Sequence, residues 1–344
     1  NLLESIYVLA MARSQRTNND HELMRMGENS AVIQGRLANR LGTTQLEIDL
    51  NLKGKKAKVN QLEQAKLSQY IGKMNIILFA PEDLSLVKGS PIVRRKFIDM
   101  EFGQIDSHYL YDLSQYKIIL RQRNRYLKQL QQKKANDLLL LDVLSDQLAA
   151  FGAELIVKRI KFLKDLSKFA NQLQLEITHQ REKLALEYLS KITLPAASDS
   201  PEQLYQILKK QYTTHRDKEI FQGNTLYGPH RDDFKFIVNE QNVQLYGSQG
   251  QQRTAALAVK LAEVNLMKNR IGEYPILLLD DVLSELDGKR QTNLLRAFQQ
   301  KVQIFLTTPS LNDITRQLIK DPKVFRIQQG KVVVEQENQG GKQG

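Results

Sequence analysis

Cysteine is absent from all 344 residues. That excludes a disulfide framework, a thiolate metal site and a cysteine nucleophile; the chain can fold in a reducing compartment, and its default location is cytoplasmic. No apolar run approaches the roughly 20 residues of a membrane-spanning helix, so no membrane partner is expected. The opening NLLESIYVLA has neither the basic leader nor the small-residue cleavage site of a secretory signal. Nothing matches G-x-x-x-x-G-K-[ST], the loop that commonly holds nucleotide phosphates. The first residue is Asn1 rather than Met, and Leu2, Leu3, Ile6 and Leu9 already keep helical spacing, which reads as a helix whose preceding turn has been cut away. Zinc-finger spacing, internal repeats and RNA-stacking motifs are also missing.

What is present is positive charge in an otherwise ordinary globular composition. Lys and Arg number 50 against 38 Asp and Glu, a formal +12, in a chain that is 41% hydrophobic and 26% charged. This balance favours a polyanionic partner.

Three textures follow one another along the chain. Residues 1–85 mix helical pieces with strand candidates such as LEIDLNL (Leu46 to Leu52) and NIILFAP (Asn75 to Pro81). Residues 86–221 are dominated by long 3-4 spaced apolar stripes, one through Tyr109, Leu113, Tyr116, Leu120 and Leu127, the other from Leu141 to Leu173. Arg123 interrupts the first stripe and Lys158 the second, and a break near Lys133 to Asp137 makes an antiparallel helical hairpin the economical reading. Residues 222–335 return to α/β texture, with strands at FKFIV, PILLLD and VQIFLTT around a helix from about Gln251 to Lys268; residues 336–344 read as a frayed tail. The expected class is α/β, the outer regions forming one lobe with a mainly helical second lobe inserted.

The chemistry concentrates in two segments. ILLLDDVLSELD, from Ile276 to Asp287, delivers two adjacent carboxylates to the end of an apolar strand. Paired acids there are costly unless a cation or a reacting water uses them. Asp280 is assigned to Mg²⁺, mostly through coordinated water, and Asp281 to orienting the attacking water. The alternative is that the acids cap the following turn or pair with surface lysines. Upstream, Gly247, Ser248 and Gly250 open a long helix whose amides and dipole suit an anion, although Ser248 can equally be an ordinary N-cap. A glycine-serine helix start, one helix, then a strand ending in two acids is the order of ATP-binding-cassette heads.

Taken together, TLYGPHRDDF (Thr225 to Phe234), FAPEDLSLVKGSPIVRRKFID (Phe79 to Asp99), ARSQRTNNDHELMRMG (Ala12 to Gly27), GSQGQQRT and LLLDDVLSELD resemble the RecF recombination mediator family, relatives of the SMC heads, over essentially the whole chain. The resemblance implies an ABC-type, P-loop NTPase head that uses ATP and Mg²⁺. In that family the phosphate loop stands directly before the counterpart of Asn1 to Ala10, which accounts for its absence here and implies little hydrolysis by the chain as given. Asp281 stands where cassette ATPases place a catalytic glutamate, implying a slow switch. Ser248, Gln249, Gly250 and Gln251 match the signature loop, which contacts nucleotide held by the opposite protomer, so an ATP-dependent homodimer is implied. Asp287 ends a turn across that interface. Gln249 departs from the commoner S-G-G pattern, and Thr307 and Thr308 occupy the region of the transporters' switch histidine. Glu82 or Asp83 stands where a glutamine-bearing loop couples the lobes, and Arg13 and Arg16 are candidates for phosphate or adenine contact.

Basic clusters supply the DNA expectation: Lys53, Lys55 and Lys56; Arg94 and Arg95; Arg121 and Arg123; and the helix-face series Lys158, Arg159, Lys161, Lys164 and Lys168. Simple solvation of charged faces is the competing reading for each. His230, Arg231, Asp232 and Asp233 are read as a network at a lobe or dimer junction in preference to a metal site, because one histidine with two neighbouring acids is a poor ligand set. The family implies action on gapped DNA or single-strand to double-strand junctions, with RecR and RecO as partners in loading recombinase. A non-enzymatic basic DNA-binding adaptor, or an SMC-like head of another branch, are the rival readings.

Overall fold

The computed structural model describes residues 2–40, 42–195, 200–281, 301–308, 323–328 and 331–334. Helix α1 (Leu2–Met11) buries Leu3, Tyr7, Val8 and Leu9 and ends where Ala12 turns to a positive φ of 49°. Strands β1 (Ser30–Asn39), β2 (Gly42–Asn51), β3 (Gly54–Val59) and β4 (Leu62–Glu63) form an antiparallel sheet in that order. Period-2 alternation turns Leu46, Ile48 and Leu50 of β2, with Ala57 of β3, inward against α1. Between β3 and β4, Asn60 and Gln61 take positive φ of 50° and 68°, the consecutive left-handed pair of a tight hairpin turn. Short α2 (Leu67–Tyr70) then leads into buried β5 (Ile76–Phe79).

A helical layer follows: α3 (Leu84–Lys88), α4 (Pro91–Ile105), α5 (Ser107–Gln131) and α6 (Leu138–Ile177). Asp106 caps α5 by accepting the N–H groups of His108 and Tyr109, and Asp137 caps α6 at Leu139 and Leu140. The apolar seams of α5 and α6 meet as an antiparallel hairpin, with Tyr109, Leu113, Tyr116 and Leu127 on one side and Leu141, Leu148, Leu155 and Phe162 on the other. Beyond it come β6 (Leu184–Leu189), α7 (Pro201–Thr214), α8 (Arg216–Gln222), β7 (Asp233–Val238) and β8 (Gln241–Asn242). Strands β6, β7 and β8 form an antiparallel sheet, with Phe234, Phe236 and Val238 facing the helices.

The chain closes through α9 (Val243–Tyr246), α10 (Gln249–Ile271), β9 (Ile276–Asp280), β10 (Ile304–Thr307), β11 (Phe325–Gln328) and β12 (Lys331–Val334). Strand β9 is central in a parallel sheet ordered β10-β9-β5, so segments from both ends of the sequence share one sheet. Helix α10 joins the layers: Ala255, Ala258, Val259 and Leu266 enter the helical core, while Leu261, Val264 and Met267 pack on β5 and β9. Among the described residues no helix is long and apolar enough to cross a membrane.

The charged residue that interrupts the α5 stripe is a core element. Arg123 is fully buried; its guanidinium donates to Glu219 at 2.6 Å, Thr225 Oγ1 at 2.8 Å and Ser145 Oγ at 3.0 Å, and lies 4.6 Å from the Tyr212 ring centroid. Glu219, also fully buried, accepts the Leu226 N–H with its other oxygen. One ion pair thus ties α5, α6, α8 and the segment before β7. Removing one partner strands a buried charge: Glu219→Gln is expected to destabilise the protein by about 3–5 kcal/mol in urea unfolding, whereas Arg123→Met with Glu219→Leu recovers most of that loss.

Candidate nucleotide site and DNA-facing surfaces

Asp280 is the last residue of β9, and its two oxygens face two different partners. Thr307 Oγ1, at the end of neighbouring β10, donates to Oδ1 at 2.8 Å and accepts the Asp281 N–H at 3.1 Å. Arg16 Nη2 donates to Oδ2 at 2.8 Å. Arg16 is presented by a turn that Ser14 organises: Ser14 Oγ accepts the N–H groups of Arg16 and Thr17 and itself donates to Glu4 of α1. Asp281 follows with a positive φ of 53°, so the chain bends sharply off the sheet and its side chain is exposed. The structure therefore joins Asp280 and Arg16, two residues selected separately from the sequence, and adds Thr307 as a positioning residue. Arg13 lies half-buried on the same turn. Asp287 lies outside the described residues.

Beside this cluster is a cavity of about 640 Å³ whose lining includes Tyr7, Arg16, Glu82, Lys96, Glu101 and Lys260. Burial pushes the Lys96 ammonium below its ordinary pKa, and the positive charge of Arg13 adds to the effect. Lys260 of α10 forms the charged floor, 2.9 Å from Glu263 and 3.7 Å from Glu101. Burial would discharge Lys260, but Glu263, Glu101 and Asp83 outweigh it and hold its pKa above the usual range. Burial pushes Glu101 and Glu263 up, against the pull of Lys260. Asp83 caps the turn after β5 by accepting the Ala80 N–H at 2.9 Å, and burial raises its carboxyl as well. Of the two coupling candidates, Asp83 faces the buried Lys260 cluster and Glu82 faces the cavity.

Ser248 is the N-cap of α10 in a reciprocal capping box: its Oγ accepts the Gln251 N–H at 3.2 Å, and Gln251 Oε1 accepts the Ser248 N–H at 2.9 Å. Gln251 also donates to Glu182, so it is a structural member of the loop, while Ser248, Gln249 and Gly250 are exposed at the helix start. Gly247 is required by space, since a Cβ there would lie 2.6 Å from the Val243 carbonyl oxygen. Leu245 and Tyr246, immediately before the loop, are 69% and 74% exposed. The loop shares neither a cavity nor a hydrogen bond with Asp280 among the described residues.

The basic clusters divide. Arg94 is buried in a bidentate pair with Asp233, at 2.7 and 2.9 Å, and also donates to the Gly89 carbonyl. Arg159 is buried among Asp99, Tyr109 Oη and the Pro229 carbonyl. With Arg123, these arginines are corrected from DNA contacts to internal ion pairs, because a guanidinium enclosed by its own carboxylate cannot reach phosphate. Arg95 is half-buried and donates to the Asp232 carbonyl. Lys55 pairs with Asp20, Lys56 with Glu63, and Lys58 with Glu47 and Asp49, whereas Lys53 stands exposed on the β2–β3 turn. Arg121 is exposed on α5, and Lys161, Lys164 and Lys168 are exposed at helical spacing on α6.

The GPHRDD loop is the network that its composition indicated. His230 Nε2 must carry its proton, since it lies 3.2 Å from the Thr225 carbonyl, an acceptor only; Nδ1 therefore accepts from Tyr116 Oη at 2.6 Å. Gly228, at φ 116°, has no room for a Cβ beneath the Tyr116 hydroxyl. Asp232 accepts from Tyr188 and Ser190, linking the loop to β6 and the segment after it.

A parallel sheet with an acid at the end of its central strand, a capped helix start one helix upstream and an inserted helical hairpin define an ABC-type ATPase head. No protein-family model matches the chain. It is 60% identical over 335 residues to the DNA replication and repair protein RecF of Ligilactobacillus salivarius (strain UCC118), covering 97% of this chain and 88% of that one. It is likewise 60% identical over 336 residues to RecF of Latilactobacillus sakei subsp. sakei (strain 23K), covering 98% and 90%. A solved structure of the recombination mediator protein RecF with ATP, in the RecFOR pathway, superposes with a TM-score of 0.90 at 32% identity, covering 97% of this chain and 88% of that one. An SmcHead structure shares the fold at a TM-score of 0.52 and 12% identity, covering 98% and 86%. The chain belongs to the RecF family of DNA replication and repair proteins.

The buried histidine generates a pH expectation. Burial pushes His230 from 6.5 down to about 3, with Arg231, Arg95 and Arg123 adding to the shift against the Thr225 hydrogen bond. The unfolded chain therefore takes up a proton that the fold refuses. Stability is fully present above about 6.5 and falls as pH drops toward 3, at up to ~1.4 kcal/mol per unit. His230→Gln should flatten the pH dependence of urea unfolding between about pH 7 and pH 5; an unchanged slope would refute the assignment.

Proposed function

We propose that this protein is an ATP-dependent DNA-binding protein of replication and recombinational repair. It would dimerise on gapped DNA or single-strand to double-strand junctions when ATP binds, and promote recombinase loading with RecR and RecO. The observation that carries the reading is Asp280, held at the end of the central parallel strand by Thr307 and already drawing the cation Arg16 to its outer oxygen.

These residues fit Mg²⁺ and ATP. A carboxylate fixed at a strand end and oriented by a neighbouring hydroxyl suits the coordination shell of a hard cation, and Arg16 supplies positive charge for phosphate. When bound, Mg²⁺–ATP supplies a polyanion whose charge a hard cation neutralises. Asp280 would hold the water shell of that cation, and exposed Asp281 would align the attacking water. The exposed Ser248, Gln249 and Gly250 form a helix start suited to the phosphate of a facing protomer. Exposed Leu245 and Tyr246 beside them support a surface that a second copy covers.

For DNA, Lys53, Arg121, Lys161 and Lys164 are the remaining exposed candidates, with Lys55, Lys56 and Lys168 already balanced by acids. Lysines and arginines distributed over helix faces and a turn favour phosphate contacts and recognition of DNA shape over base readout.

In the intact protein, Asp280→Asn is expected to lower ATP turnover by at least about a hundredfold, read by phosphate release. Unchanged turnover would remove the metal assignment. Ser248→Arg should abolish ATP-dependent dimers in light scattering while leaving nucleotide binding by the monomer intact; dimers of normal yield would refute the contact across protomers.

A further inference from the structure

The outer end of the α5–α6 hairpin carries an apolar surface that neither the nucleotide site nor the exposed lysines explain. On one side of the hairpin, Arg123, Ser145 and Leu127 turn inward toward α8, and Asp146 binds Tyr205 and Lys209 of α7. On the other side, Gln122, Arg125, Tyr126 and Gln129 of α5 and Leu140 and Leu144 of α6 line a groove of about 320 Å³. At the start of α6, Leu138, Leu139, Leu140 and Val143 are 43%, 72%, 42% and 47% exposed. The same helix face continues through Ile118 to Tyr111, whose ring meets Phe151 of α6 at 6.4 Å. Four consecutive leucines at a helix start need only one, Leu141, for the core. The other three are exposed beyond what packing requires.

Charge around the groove has one sign. Arg121 and Arg125 are exposed along α5, and Lys133 and Lys134 stand on the connecting turn. The nearby acids of α6 face elsewhere: Asp142 is bonded to Arg216 and Asp146 to Lys209, while Asp137 caps the helix. Two antiparallel helices with an apolar slot between them accept a third helix through side chains at i, i+3, i+4 and i+7. A basic rim selects an acidic partner and speeds its encounter. An apolar floor gains nothing from a phosphate backbone, which disfavours DNA as the occupant.

We propose that the α5–α6 groove is a docking site for an amphipathic helix of a partner protein, with leucine-type residues on the face it buries and acidic residues flanking that face. Leu140 and Leu144 receive the apolar face, and Arg121 and Arg125 read the acids. The site is separate from the Asp280 cavity, so it can be occupied irrespective of nucleotide.

The test uses the full chain and a fluorescein-labelled helical peptide with leucines at i, i+3, i+4 and i+7 flanked by glutamates, beside a matched peptide carrying lysines instead. Fluorescence anisotropy should show saturable binding of the acidic peptide and at least about tenfold weaker binding of the basic one. Leu140→Asp, at an exposed position that leaves the melting temperature unchanged, should weaken the acidic peptide at least about tenfold, and Arg125→Glu should invert the preference. Equal binding of the two peptides, or no effect of Leu140→Asp, overturns the proposal. So does a Leu140→Asp protein that keeps the peptide but loses duplex DNA binding or self-association in sedimentation, because the face would then belong to DNA or to a second copy.

Discussion

A carboxylate at the end of an apolar strand needs partners for both of its oxygens, because a charge removed from water without them is costly. Asp280 meets this constraint with a hydroxyl from the adjacent strand and a guanidinium from the turn after α1, 264 positions away in the chain. Satisfying one side chain thus fixes the relation of β9 to β10 and of the N-terminal turn to both. The same arrangement leaves positive charge poised at the sheet edge, which is the electrostatic condition that a nucleotide phosphate requires.

The helical layer solves a related problem by different means. Arg94, Arg123 and Arg159 are each enclosed with a carboxylate and further acceptors, and each links elements that are distant in sequence. Apolar residues of similar volume could fill such positions without the desolvation cost; what ion pairs add is a requirement for one alignment of the elements they join. Asp99 illustrates the balance: burial alone would raise its carboxyl, but Arg159, Lys117 and the Tyr109 hydroxyl hold it below the ordinary range. The hairpin is thereby locked to the GPHRDD loop, where Arg159 binds the Pro229 carbonyl and His230 binds Tyr116.

Much of this was legible in order along the chain. Period-2 alternation located β2, compact apolar runs located β5 and β9, and 3-4 spacing with a break near Lys133 to Asp137 located the hairpin, since those signals are local. The glycine and serine before α10 marked its start, and the helix extends only slightly beyond the predicted span, from Gln249 to Ile271. The basic segment KGKKAK was read for its charge although most of it forms β3; its lysines pair with acids on neighbouring strands and with Asp20 of a short 3-10 turn (Asp20–Leu23), which only pairing register reveals. Arg123 interrupted an apolar stripe and was read as surface charge because Glu219 lies 96 positions away. Lys260 was silent for the same reason, and Thr307, noted only for its place in the chain, gave no local sign of its bond to Asp280.

Helix α10 brings these devices into one mechanical unit. Its exposed start carries the Ser248 loop, its middle carries Lys260 and Glu263, and its later turns pack on β5 and β9 beside Asp280. Lys260 also reaches Glu101 of α4 and is electrostatically coupled to Asp83, on the turn that follows β5. A displacement of that turn changes the field around a buried ammonium whose partners sit on α4 and α10. A buried charge tolerates few alternative positions, because each requires its carboxylates to follow. The ion pairs of Lys260 therefore tie the cavity, which Glu82 and Arg16 also line, to α4 and α10. The Lys260 cluster supplies that stiffness at the point where the sheet, α4 and α10 meet.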